Sequence, residues 1–148
     1  MTELNDTPHW LEKLLLSNGM WLFARIVITF LFWITAVNWI LDFNEARSAA
    51  ASVHLFPPAF WGWFLIAFYI AGSLLIIADR MMWLGAGAFL VFVFLTIVCV
   101  HHWWSMSGAQ EASAWNEVKE HITVMGSMIV VCIASLLRTR LRKHHLLD

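Results

Sequence analysis

Long stretches without a charged side chain alternate with short polar joints along this chain, and each stretch has the length of a membrane-spanning helix. Ala59 to Ala78 and Met81 to Val100 each run for 20 residues without a charge. Trp21 to Leu41 is interrupted only by Arg25, near its start. A hydrocarbon core about 30 Å thick takes about 20 helical residues to cross. A fourth stretch, Ile122 to Leu137, has 16 residues and reaches only about 24 Å. To span, it must draw in the turn that carries Glu117, Lys119, Glu120 and His121. The pattern therefore predicts an all-α integral membrane four-helix bundle, with spans at about 21–41, 59–78, 81–100 and 118–137.

The joints differ in kind. Only Asp79 and Arg80 separate the second and third spans, which must form an antiparallel hairpin. In the Asp42–Pro58 connection Asn44 is the expected cap of a short helix through Ala51, and Pro57-Pro58 ends the connection and opens the next helix. Trp103–Asn116 reads as a polar loop. Ahead of the first span, Thr7-Pro8 supplies a cap and a first turn, while Trp10, Leu11, Leu14 and Leu15 share one face. Residues 8–17 thus read as an amphipathic helix in the interface plane. The chain divides into an N-terminal interfacial segment (1–20), a membrane domain (21–137) and a basic cytoplasmic tail (138–148).

Composition removes the alternatives. Hydrophobic residues make up 61% and charged residues 13%, against about 45–50% and 25% in soluble domains. With a mean hydropathy of +0.72, a water-soluble globule is excluded. Nine Lys and Arg without a basic stripe exclude a nucleic-acid partner. The two cysteines, Cys99 and Cys132, have neither disulfide-framework nor zinc spacing and lie at different depths, so they should stay unpaired. A thiol-oxidising, quinone-linked four-helix enzyme is excluded with them, because it needs close cysteine pairs. A proton-coupled exporter would need a mid-span carboxylate, which the chain lacks.

Charge sets the orientation. Lys13, Arg25, Arg80, Arg138, Arg140, Arg142 and Lys143 fall on the side of the termini, and only Arg47 and Lys119 on the other. The positive-inside rule makes both termini cytoplasmic. Trp10, Trp21 and Trp83 mark that interface; Trp39, Trp61, Trp63, Trp103, Trp104 and Trp115 mark the opposite one. Arg138, Arg140, Arg142 and Lys143 form a lipid-facing basic tail.

Small residues suit close helix crossings at Ala67, Ala71, Gly72, Gly85, Gly87, Gly126 and Ser127. Polar residues within the spans are rarer. Arg25 has two open readings, snorkelling to the headgroups or pairing with an acidic or quinone-like group in the bundle. Asn38 reads as an interhelical hydrogen-bonding residue. His101 and His102 end the third span, and Glu117, Glu120 and His121 begin the fourth, at the same depth. Glu117 and His121 are four apart and share a face. His101 and His102 point about 100° apart, so one histidine with Glu117 and His121 would suit a transition metal, and a histidine from each helix a haem. The other reading is a wet pair of helix ends.

The motifs ARIVITFLF, TAVNWILDF, HLFPPAF, AGSLLII, HHWWSMSG and VKEHITVMGSMIVV resemble the DoxX family of small four-helix bacterial inner-membrane proteins, from about Arg25 to Leu137. The chain departs from the family pattern at Ala36 and Trp39, where Gly and Lys are usual. It departs again at Phe68 or Tyr69 for a Glu, and at Glu120-His121 for Lys-Asn. The family name comes from a subunit of a thiosulfate:quinone oxidoreductase. The resemblance thus implies a membrane component of a quinone-linked redox or stress-response system, with a membrane redox partner or a second copy as partner. The cofactor is left open among a quinone and, from the His/Glu cluster, a haem or a transition metal. No standalone catalytic set is recognisable. The competing expectation is a non-catalytic membrane protein that docks or stabilises a partner.

Overall fold

The computed structural model describes residues 7–143, and every regular element among them is helical. Residues 1–6 of the expected interfacial segment and 144–148 of the basic tail lie outside the described residues. The helices are α1 (His9–Leu16), α2 (Asn18–Ile28), α3 (Phe30–Leu41), α4 (Phe43–Ser52), α5 (Pro58–Ile77), α6 (Met82–Cys99) and α7 (Ala109–Lys143). Three of them, α5, α6 and α7, are long and apolar enough to cross a membrane. The α2–α3 pair meets the same test if it counts as one bent span. Large apolar side chains such as Phe23, Leu74, Val91 and Val130 are exposed, the surface of a chain in contact with lipid.

The expected first span, 21–41, is not one straight helix. It breaks at Thr29, and α2 and α3 diverge by 54°. Side-chain donors occupy the carbonyls at the break. The buried Thr29 hydroxyl donates to the Arg25 carbonyl at 2.8 Å and approaches that of Ile26 at 3.2 Å, which also accepts from the Trp33 indole at 3.3 Å. Side chains inserted into the backbone ladder in this way bend helices. The ladder restarts on the Thr29 carbonyl, which accepts from the amides of Phe32 and Trp33.

Other boundaries also shift. Pro8, not Thr7, stands at the start of α1, its carbonyl accepting from Leu11 and Glu12. The short helix of the first connection is capped by Asp42 rather than Asn44: Asp42 accepts the Asn44 amide at 3.0 Å. Most of the expected Trp103–Asn116 loop is helical. A single 3-10 turn over Trp103–Ser105 leads to Gly108, whose φ of 64° suits glycine, and α7 begins at once with Ala109. Alanine, glutamine and glutamate favour helix there, and Ala114 and Val118 are buried. With 35 residues α7 is about 52 Å long, well beyond a hydrocarbon core of about 30 Å.

α5 occupies the middle, packed on α3, α4 and α6, while α6 packs on α7. The tightest crossing joins α5 to α6. A Cβ on Gly72 would lie 2.5 Å from the Phe89 ring, and one on Gly85 would lie 3.0 Å from the Gly72 carbonyl. Four of the other expected crossing residues do not serve that purpose: Gly87 and Gly126 face open space, and Ala67 and Ala71 are exposed. Among the described residues the backbones of α3 and α7 do not come close to each other. The bend at Thr29 swings α3 aside, and a cleft opens between the two helices.

Candidate functional site

That cleft has a volume of about 390 Å³. Leu31, Phe32, Thr35 and Trp39 of α3 form one wall, and Glu117, Glu120, His121 and Val124 of α7 the other. Tyr69 of α5 and Phe92, Val93 and Thr96 of α6 line its depth, and His101 stands at the mouth. The inner part is aromatic. Trp39 stacks on Tyr69 at 5.5 Å, and the Phe32 ring packs against Tyr69 at 5.6 Å and on Phe89 at 3.8 Å.

The mouth is polar, and its histidines differ in surroundings. His101 and His121 meet edge to face, ring centroids 4.9 Å apart. With Glu117 they offer three ligand atoms that all lie within 4.8 Å of one another. His121 Nδ1 lies 2.7 Å from the Glu117 carbonyl. A carbonyl only accepts, so Nδ1 carries a proton, and in the neutral ring Nε2 is the nitrogen with the lone pair. His102 is turned to Ser105 instead, Nδ1 to Oγ 2.6 Å, outside the cleft lining. Glu120 is exposed along the cleft. Trp39, Tyr69, Glu120 and His121 all line this cleft, whereas Phe68 lies on the outer groove of α6.

The other expected site residues fall elsewhere. The Asn38 side chain is exposed, and among the described residues it makes no hydrogen bond to another helix. Arg25 is turned inward, 7% exposed, and does not reach out towards headgroups. It donates to the carbonyls of Ile77 at 2.6 Å and Ile76 at 3.4 Å, closing the C-terminal end of α5, and stands 3.9 Å from Asp79. Arg138 of the expected lipid-facing tail is likewise buried, donating to the Leu16 carbonyl and to Asn18 Oδ1, both at 3.1 Å. Arg142 reaches the same Asn18 oxygen at 2.7 Å; Arg140 and Lys143 are exposed. Trp21, expected at the interface, is buried between the Arg25 and Arg138 guanidinium groups, at 5.3 and 5.4 Å from its ring. Its indole donates to Asp79 at 2.8 Å, as does the Ser135 hydroxyl at 2.7 Å. This polar knot ties α2 to α7 and to the α5–α6 turn. Cys99 and Cys132 are both free.

A family model for DoxX matches residues 20–102, more than half of the chain. The chain belongs to the DoxX family. With its apolar helices, it is a multi-pass membrane protein. The match ends at His102, so α7, with Glu117, Glu120 and His121, lies beyond the matched residues. Among curated proteins and solved structures, none matches this DoxX chain.

Proposed function

We propose that this DoxX protein holds the head group of a membrane quinone in the α3–α7 cleft, as the membrane component of a quinone-linked redox system. The observation that carries the reading is the cleft's polarity gradient, aromatic inside and His/Glu at the mouth. Aromatic faces suit a flat quinone ring. A carbonyl oxygen of the oxidised form accepts a hydrogen bond from the His101 imidazole N–H. The hydroxyls of the reduced form donate to His121 Nε2 or to the carboxylates of Glu117 and Glu120. A one-site titration of the detergent-solubilised protein with a short-chain quinone tests this. Saturable binding is expected, about tenfold weaker in Trp39→Ala, a loss of roughly 1.4 kcal/mol of stacking. No saturable binding would leave a non-catalytic protein that docks or stabilises a partner.

The same reading has four spans, α2–α3 counted as one, in a bacterial inner membrane, with α1 lying in the interface and both termini cytoplasmic. It is supported by the basic residues gathered at the end where Arg138 and Arg142 meet Asn18. In a variant with Cys99→Ser and Cys132→Ser, Ser107→Cys should react with an impermeant maleimide from outside the cell, and Lys143→Cys should not. The reverse labelling pattern would overturn the orientation.

A further inference from the structure

We propose that His101, Glu117 and His121 bind a divalent transition metal of zinc-like chemistry, with its open coordination position facing the cleft. The proposal rests on the cleft mouth being the working site, but not on the ligand being a quinone.

Two imidazoles and a carboxylate are a donor set that Zn²⁺ and Fe²⁺ accept at sites keeping a free position for substrate. The three ligand atoms lie within 4.8 Å of one another. Zn–N and Zn–O bonds of about 2.0–2.1 Å in tetrahedral geometry put ligand atoms about 3.3 Å apart, so small side-chain rotations close the set. Among the described residues no hydrogen bond or ion pair joins the Glu117 carboxylate to either ring, so the three groups converge without neutralising one another directly.

The His121 tautomer is a second, independent feature. Its Nδ1–H is held by the Glu117 carbonyl at 2.7 Å, leaving Nε2 as the free donor. Metal-binding histidines are oriented in this way by a hydrogen bond from their other nitrogen. Glu117 supplies its backbone carbonyl to orient one ligand and its exposed carboxylate as another. Glu120 lies along the same cleft, one turn from the site, and adds negative charge that favours a cation. An ion here would present its free position to a carbonyl or hydroxyl oxygen of whatever occupies the cleft.

The test uses the full chain in detergent, stripped with a chelator and titrated with Co²⁺ alone. One Co²⁺ per chain is expected, with visible d–d absorption that added Zn²⁺ abolishes. Glu117→Gln and His121→Ala should each weaken binding by at least about tenfold. His102→Ala, and the pair His144→Ala with His145→Ala, should leave it unchanged. No saturable single site in the unsubstituted protein would overturn the proposal, as would a site insensitive to Glu117→Gln and His121→Ala or lost with His144 and His145. Because the unsubstituted protein is itself a readout, a variant that fails to fold does not decide the matter. Quinone titration of the same chelated sample separates the two readings. Quinone binding without a Co²⁺ site overturns the metal alone, and a Co²⁺ site without quinone binding overturns the quinone alone.

Discussion

Asp79→Ala should destabilise the protein by about 3 kcal/mol, read as a shift in chemical unfolding in detergent. The Asp79 carboxylate accepts from Trp21 and Ser135 and stands 3.9 Å from a guanidinium nitrogen of Arg25. Arg25 and Arg138, both buried, flank the Trp21 ring, so this carboxylate offsets positive charge that water does not reach freely. Removing one partner of a buried ion pair costs about 3–5 kcal/mol. The Asp79 side chain is 20% exposed, which places its loss at the low end of that range. The backbone adds a second handle. Asp79 has a φ of 56°, which aspartate and asparagine tolerate better than alanine. Asp79→Asn keeps the backbone preference and one acceptor oxygen but not the charge, and should cost about half as much. Because the knot ties α2 to α7, Asp79→Ala should also speed proteolysis around Ser17. Equal stability of Asp79→Ala and the unsubstituted protein would mean that the knot is dispensable.

The sequence carried the membrane character because hydropathy over some 20 residues is a local property. It could not carry the bend at Thr29. A threonine in an apolar helix is ordinary, and only tertiary burial makes its hydroxyl and the Trp33 indole take over the backbone carbonyls. The cleft went unseen for the same reason, since Trp39 reads as an interface residue until the separation of α3 from α7 is known. Glu117 and His121 were legible as a pair by their i,i+4 spacing. The choice of His101 over His102 needed the 3-10 turn, which hands His102 to Ser105. The polar knot was hidden in another way. Asp79 looked like a simple turn residue, and Arg138 like the first charge of a tail. Their meeting depends on α7 remaining helical through Lys143, past the point where hydropathy ends the span.

The largest packing effect is expected at Phe89. This ring is fully buried, stacked on Phe32 at 3.8 Å and set edge-on to Phe68 at 5.6 Å. It fills the space that Gly72 leaves open, since a Cβ there would come within 2.5 Å of it. Removing a buried phenylalanine side chain costs about 3–5 kcal/mol, through lost contacts and the cavity left behind. The lower figure applies here, because an unfolded chain in a bilayer also keeps its apolar side chains out of water. Phe89→Ala should therefore cost about 3 kcal/mol in detergent unfolding. It should also weaken ligand binding, because Phe32 would lose the ring that holds it in the cleft wall. Gly72→Ala alone should cost about 1–3 kcal/mol by overpacking the same crossing. Combined with Phe89→Leu, whose smaller side chain frees the space, Gly72→Ala should cost at least 1 kcal/mol less than it does alone, a coupling of the size seen between contacting residues. Strict additivity of the two would mean that the α5–α6 crossing yields by moving its helices apart, and that Gly72 and Phe89 are not the pair that sets their separation.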